Sequence, residues 1–141
     1  MLNEKQKAHA CEMLVAAEIM LTGDVPAFLA PRDWPEYDLI VEPADRTNPE
    51  RMSVKSSTFA PTNYIKWDNP DRFDWLAIVV LPAPGCDRRR IFIIPRDVAD
   101  ERSTPADFRN GRNFNVGKLM EQLADFEDNF SLARNAVPSE G

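Results

Sequence analysis

The sequence predicts one α+β domain. A long N-terminal segment free of proline and glycine indicates a helix over residues 3–21, and short apolar runs interrupted by proline indicate several strands after it. Of the 141 residues, 43% are hydrophobic and 28% are charged, which is an ordinary globular balance with enough apolar mass for one core. We therefore expect a single domain over residues 1–135 and a frayed tail over 136–141.

The N-terminal helix should end at Thr22-Gly23, a typical helix stop. One broad face, at 100° per residue, carries Ala10, Met13, Leu14, Ala17, Met20 and Leu21. Val15, Ala16 and Ile19 occupy much of the opposite side, so we expect the helix to be buried over most of its circumference. Glu12 then has apolar neighbours, and a buried carboxylate is costly without a cation or metal beside it. The alternative is a glutamate that reaches solvent.

The strands are predicted from alternation or from runs of branched and aromatic residues. In chain order they cover residues 25–30, 37–42, 51–57, 63–67, 73–81 and 90–94. Pro26 and Pro31 mark the first as an edge strand, and residues 82–89 are typical of a hairpin loop. Apolar residues at helical spacing predict a C-terminal helix over 116–134; they are Leu119, Leu123, Phe126 and Phe130.

The scarce residue types exclude several classes of function. His9 is the only histidine, which excludes a zinc site with several histidine ligands and most histidine relays. Two cysteines without CxxC spacing indicate a reducing compartment. No apolar stretch approaches the 18 residues of a membrane span, and the N-terminus lacks the order of a signal peptide. We expect a cytoplasmic protein without a membrane segment.

Charge is distributed unevenly along the chain. The formal net charge is −6, which argues against a general nucleic-acid coat. Residues 88–112 nevertheless hold seven arginines against four acidic residues. This stretch is either an ordinary solvated surface or a surface that faces an anion.

Residues 37–57 predict a hairpin whose register brings opposite charges together. If Glu42 pairs with Arg51 across the turn, Leu39 faces Val54 on the apolar side. Asp38 then lies opposite Lys55 on the other side. The simplest interpretation of this pair is a cross-strand salt bridge that contributes on the order of 0.2–1 kcal/mol.

The order of these elements resembles the PD-(D/E)xK, or restriction-endonuclease-like, superfamily, including its small bacterial members. The matching segments are Ala10-Cys11-Glu12, Leu21-Thr22-Gly23, YDLIVE over 37–42 and MSVKSS over 52–57. The runs at 73–79 and 91–95 resemble the strands that follow the active site in those proteins. The resemblance spans residues 8–96 and implies a restriction-endonuclease-like core, in which a central mixed sheet is flanked by an N-terminal and a C-terminal helix.

The resemblance also implies roles for individual residues. Asp38 and Glu12 would be catalytic residues that hold Mg²⁺, and Lys55 would position or activate the attacking water and stabilise negative charge on the phosphate. Apart from the resemblance, we expect substrate contacts from five further residues, Ser53, Ser57, Lys66, Arg109 and Arg112. DNA is the implied partner, and a homodimer is compatible because many nucleases of this superfamily work as dimers.

Ser53 departs from the family pattern, which has Glu, Asp or Gln two residues before the lysine. Either Glu12 or Glu18 replaces the missing ligand, or Glu36 or Glu42 does so, or the site no longer cuts. Three hypotheses follow: a Mg²⁺-dependent DNA nuclease, a catalytically degenerate domain of the same fold that serves as a binding or regulatory module, and an unrelated α+β protein that binds a partner protein.

Overall fold

The computed structural model describes residues 1–31, 37–45, 47–68, 71–83, 88–106 and 111–135. Its helices are α1 (Glu4–Leu21), α2 (Arg96–Arg102) and α3 (Leu119–Gln122), with single 3₁₀ turns at Val116–Lys118 and Ala124–Phe126. Its strands are β1 (Ala27–Leu29), β2 (Leu39–Val41), β3 (Glu50–Thr58), β4 (Tyr64–Asp68), β5 (Trp75–Leu81), β6 (Arg90–Pro95), β7 (Thr104–Pro105) and β8 (Gly111–Asn115). The predicted frayed tail, residues 136–141, lies outside the described residues.

The strands form two sheets. Five of them make a central mixed sheet in the order β1-β2-β3-β5-β6, where only β3 and β5 run parallel. The remaining three form a small antiparallel sheet in the order β4-β8-β7. With α1 near the start and α3 near the end, the predicted α+β class with a central mixed sheet is confirmed. The sequence pattern did not indicate α2 or the second sheet.

The core has two parts, one on each face of the central sheet. Alternate residues of β5 divide between them, because successive side chains of a strand point to opposite faces. Trp75, Ala77 and Val79 pack with α1. Leu76, Ile78 and Val80 pack with the small sheet, α2 and α3. β5 is therefore buried on both faces, which explains why its sequence is almost continuously apolar.

The buried face of α1 is narrower than expected. The helix begins with a capping box, in which the Asn3 side chain accepts from Gln6 N and the Gln6 side chain accepts from Asn3 N. Its buried residues are Cys11, Val15, Ala16 and Ile19. The expectation of near-complete burial was wrong, since Met13, Met20 and Leu21 are exposed. The sheet contacts only one side of the helix, and that side carries the branched residues.

The turn after α1 depends on a glycine. Gly23 N donates to Ile19 O, and Val25 N donates to the same carbonyl. A Cβ at position 23 would lie 2.0 Å from the Phe130 carbonyl oxygen, which is closer than any real contact. Glycine therefore allows the C-terminal segment to pack directly on the end of α1.

The predicted C-terminal helix is present, but its predicted extent over 116–134 was wrong. Only α3 and two 3₁₀ turns form there, and the backbone then takes positive φ at Asp128 and Leu132. The Asn129 side chain holds this segment by donating to Ile93 O and Ala133 O and by accepting from Ala133 N. The four apolar residues that predicted the helix, Leu119, Leu123, Phe126 and Phe130, are nevertheless buried. An irregular segment held by side-chain hydrogen bonds can also direct apolar residues into the core.

No helix in the described part of the chain is long and apolar enough to span a membrane.

Candidate active site

The β2–β3 hairpin sets the position of the central aspartate, and its register differs from the prediction. Leu39 pairs with Met52, so the pairing is shifted by two residues from the expected register. Because a shift by two keeps the same residues on each face, the apolar face is preserved. The predicted cross-strand partners were wrong: Arg51 is paired with Ile40, and its side chain contacts Asp74 rather than Glu42.

Asp38, directly before β2, is fixed beside Ser53. Its backbone N–H donates to Met52 O at 2.9 Å, and its carboxylate Oδ2 accepts from Val54 N at 2.7 Å. These two bonds flank Ser53, which is 3% exposed. The carboxylate is thus held at the start of β2, next to the buried serine that stands where the family pattern has an acid or glutamine.

Glu12 reaches the same place from α1. Its carboxyl group lies within hydrogen-bonding reach of the Asp38 carboxylate, and burial together with this neighbour raises the pKa of Glu12 to about 6. His9 Nδ1 is 3.5 Å from Glu12 Oε2 and opposes that rise. Two elements that are far apart in sequence therefore bring two carboxyl groups into contact.

Lys55 lies in β3, the strand that pairs with β2, and no described residue of opposite charge is bound to it. It follows Ser53 by two residues, so the two side chains share the face of β3 that lies opposite Met52. Within the described ranges, Lys55 forms no ion pair. The predicted salt bridge between Asp38 and Lys55 is absent from this part of the chain.

A cavity of about 790 Å³ opens over the two carboxyl groups. The first turns of α1 form one wall, which includes Lys5 and His9. Residues 29–31, at the end of β1, and Tyr37 form the other wall. Glu12 and Asp38 are therefore accessible from a concave site that is cationic and polar on one side and largely apolar on the other.

The donor set of this site suits a hard divalent cation. Carboxylate oxygens are the ligands that Mg²⁺ prefers, and Mg²⁺ is commonly held by one or two carboxylates together with water and substrate phosphates. A cation would also relieve the repulsion that raises the pKa of Glu12. In the described portion, no group of three or more His, Cys, Asp or Glu side chains is arranged to hold a metal. The residues therefore fit a two-carboxylate site.

The other predicted substrate residues lie away from this cavity. Arg112, in β8, donates to Ser103 Oγ at 2.6 Å and to Ser103 O at 2.7 Å. Ser57 donates to Thr58 O, and Lys66 is an exposed residue of β4. These three residues do not line the cavity, and neither do Ser53 and Lys55. Arg109 lies outside the described residues.

Much of the arginine-rich stretch is bound internally. Arg90 forms a two-bond pair with Glu127 at 2.7 and 2.6 Å, and Arg102 forms one with Asp125 at 2.8 and 3.0 Å. These pairs fasten the C-terminal segment to β6 and α2. Sequence reasoning missed the partners because they come from residues that were assigned to a helix.

Sequence reasoning also missed most of the residues that line the cavity, among them Lys5, His9 and Tyr37. A signal existed for two of them. His9 is four residues after Lys5 and three before Glu12, so all three lie along one side of a helix. His9 was interpreted as a surface histidine because no feature of the sequence shows which side of α1 faces Asp38.

Comparison with known proteins supports the fold alone. The sequence matches no protein-family model, and it matches no curated protein. Among solved structures it is similar to a bacterial homing endonuclease, I-Ssp6803I, with 15% sequence identity and a TM-score of 0.50. The similarity covers 80% of this chain and 78% of that chain. This protein therefore shares its overall fold with that endonuclease, and in this chain Glu12 and Asp38 line the same cavity.

Proposed function

We propose that this protein is a metal-dependent nuclease of the PD-(D/E)xK type that hydrolyses DNA phosphodiester bonds. The observation that carries the proposal is that two neighbouring carboxyl groups, those of Glu12 and Asp38, line the same open cavity. Two like charges placed together cost free energy, and a divalent cation between them would offset that cost. The endonuclease fold of the chain supports the same interpretation.

Three residues and a metal ion would have separate roles in this reaction. Mg²⁺, when bound, would supply Lewis-acid stabilisation of the phosphate and a more acidic water. Asp38 and Glu12 would hold it, with Asp38 oriented by the Val54 N–H. Lys55, which has no ion pair among the described residues, would position the attacking water and stabilise charge on the phosphate.

A second candidate is a nuclease-fold domain that binds its target without cutting it. Ser53 favours this candidate, because it is neutral and 3% exposed where the family pattern places a longer ligand. The net charge of −6 also favours a domain that contacts few phosphates. This candidate keeps the carboxylate pair but lacks the third ligand.

Cleavage assays separate the two candidates. Supercoiled plasmid and single-stranded DNA are incubated with Mg²⁺ or Mn²⁺ and the wild type, D38N or K55A, with K118A as an exposed lysine control. We expect metal-dependent cleavage by the wild type and K118A, and a loss of about 100-fold or more in both site variants, the usual effect of removing a transition-state contact.

Circular dichroism of each variant verifies folding. Asp38→Asn retains an oxygen that accepts from Val54 N, so it preserves the hairpin better than alanine would. A folded wild type that binds Mg²⁺ but cuts neither DNA in either metal would contradict the nuclease and support the non-cutting domain. Cleavage that persists in D38N would place the active site elsewhere.

A further inference from the structure

The two walls of the cavity differ in chemistry, and this difference indicates what enters it. Lys5 lies on the α1 wall and forms no ion pair with any residue that the structure describes. The opposite wall presents Leu29, which is 46% exposed, together with Pro31 and Tyr37. An anion is favoured on the first wall, and a flat apolar group on the second.

The size of the cavity limits the ligand further. Its volume of about 790 Å³ lies within the range of about 300–1,000 Å³ that is typical of small-molecule sites. A cube of that volume has an edge of about 9 Å. A DNA duplex is wider than its major groove, which by itself is roughly 12 Å across, so a duplex does not fit inside such a cavity. Glu12 is 21% exposed and lines this space, so a substrate must enter the cavity to reach the carboxyl pair.

The charge of the molecule agrees with a substrate contact that involves only a few phosphates. A protein that grips a long duplex neutralises many phosphates with lysine and arginine. Here the net charge is −6, and two of the arginines, Arg90 and Arg102, are bound to Glu127 and Asp125. Lys5 is left as the cation that lines the cavity without an ion partner among the described residues.

Resting on the proposed nuclease function, we propose that the cavity takes one unpaired nucleotide and that the substrate is single-stranded DNA, as a free end or a flap. The base would lie against Leu29 and Tyr37, and a phosphate would lie near Lys5. The next phosphodiester would then meet the Glu12–Asp38 pair. An uninterrupted duplex presents no unpaired base to such a cavity.

Equilibrium binding tests this proposal independently of cleavage. Fluorescein-labelled oligothymidylate and a blunt duplex of equal length are titrated with the protein in Ca²⁺, which occupies oxygen-ligand sites. We expect at least about tenfold tighter binding of the single strand. Its salt dependence should correspond to only one or two phosphates, each contributing a slope of about −0.7.

Variants of the two walls complete the test. K5Q is expected to weaken single-strand binding and to reduce the salt slope by about 0.7. Y37L is expected to weaken binding by about fivefold or more through loss of base stacking, with little change in the salt slope. K7Q is the matched control, because Lys7 lies on the same helix and does not line the cavity.

Equal or tighter binding of the duplex, or equal effects of K5Q and K7Q, would overturn the proposal. These results are distinguishable from failure of the nuclease itself. Cleavage of duplex DNA that depends on Asp38, without a single-strand preference in binding, would overturn only the nucleotide cavity. Tight single-strand binding without cleavage would retain the cavity and overturn only the catalytic function. Absence of binding to either DNA would overturn the nucleotide cavity.

Discussion

At the scale of single residues, the carboxyl pair makes the folded state sensitive to pH. Burial and Asp38 raise the pKa of Glu12 from its ordinary 4.5 to about 6. Between these values the folded chain keeps a proton that the unfolded chain has lost, so stability falls as pH rises through this window. The stability lost between about pH 4.5 and 6 is on the order of 2 kcal/mol, because each pH unit is worth about 1.4 kcal/mol per proton.

Glu12→Gln should therefore stabilise the protein at neutral pH by about 1–2 kcal/mol, since glutamine removes the like charge and keeps the shape. Urea unfolding between about pH 4 and 8 measures this effect, and the decline in stability between about pH 4.5 and 6 should be smaller in the variant. E121Q, at an exposed glutamate of α3, should change stability by less than about 0.5 kcal/mol. An E12Q protein that is less stable than wild type at neutral pH would contradict a repulsion between Glu12 and Asp38.

A divalent cation should offset the free-energy cost of placing the ionised Glu12 beside Asp38. Mg²⁺ or Ca²⁺ is expected to raise the melting temperature of the wild type at neutral pH, because a ligand that binds only the folded state stabilises it. At about pH 5 the increase should be smaller, since Glu12 then holds its proton. Differential scanning fluorimetry measures both shifts. D38N should lose the increase, and an equal increase in D38N would show that the ion binds elsewhere.

The sequence predicted the two carboxylates but not their exact neighbourhood. Asp38 and Glu12 were predicted from a resemblance to the restriction-endonuclease-like superfamily, which rests on the order of helix, strand, turn and strand. The register was wrong by two residues because Leu39 meets an apolar side chain in either case, Met52 or Val54. Alternation has a period of two and does not distinguish registers that differ by two.

At the scale of elements, the junction of α1 with the C-terminal segment depends on a close approach of two backbones. Gly23→Ala should destabilise the protein by at least about 2 kcal/mol, since its Cβ would overlap the Phe130 carbonyl, which is a backbone group and not the end of a flexible side chain. Chemical denaturation measures the loss. Gly117→Ala is the matched control: its Cβ would lie 3.1 Å from the Asn115 side chain and 3.2 Å from Pro61, so a smaller loss is expected.

Asn129 has a comparable role in the irregular C-terminal segment. Asn129→Ala should cost about 1–3 kcal/mol, because the variant leaves the Ile93 carbonyl without its side-chain donor and frees the turn to Ala133. Thermal unfolding tests the loss. Asn115→Ala removes one exposed bond, to Pro61 O, and should cost less. Equal losses would show that the Asn129 bonds do not hold the segment.

The helices show where sequence patterns were insufficient. The start and end of α1 were predicted well, because the absence of proline and glycine and the Thr22-Gly23 stop are local signals. Its buried face was not, since apolar residues surround the helix and the position of the sheet decides which are covered. The C-terminal helix is shorter than predicted for a similar reason: Asp125 and Glu127 bind arginines from α2 and β6, and local periodicity does not reveal these partners.

At the scale of the whole molecule, two opposing sets of carboxyl groups shape the pH dependence of stability. Arg102 lowers the pKa of Asp125, and Arg90 lowers that of Glu127. Their contribution is present above the ordinary carboxyl pKa and is lost as pH falls through the lowered values, whereas that of Glu12 is lost as pH rises. Without divalent cations we expect a stability maximum at about pH 4–5, measured by melting temperature across pH. A maximum near pH 7 would contradict this balance.

The interleaving of the two sheets has a kinetic consequence. The chain leaves the central sheet after β3, forms β4 and then returns to the central sheet as β5. β4 pairs with β8, which comes after β6 and α2 in the chain. Neither sheet is a continuous segment of the chain, and each requires pairing between strands that are distant in sequence. Such non-local pairing slows folding and makes it cooperative. Amides of β4 and β8 should therefore exchange with solvent at the same opening free energy as those of β3 and β5.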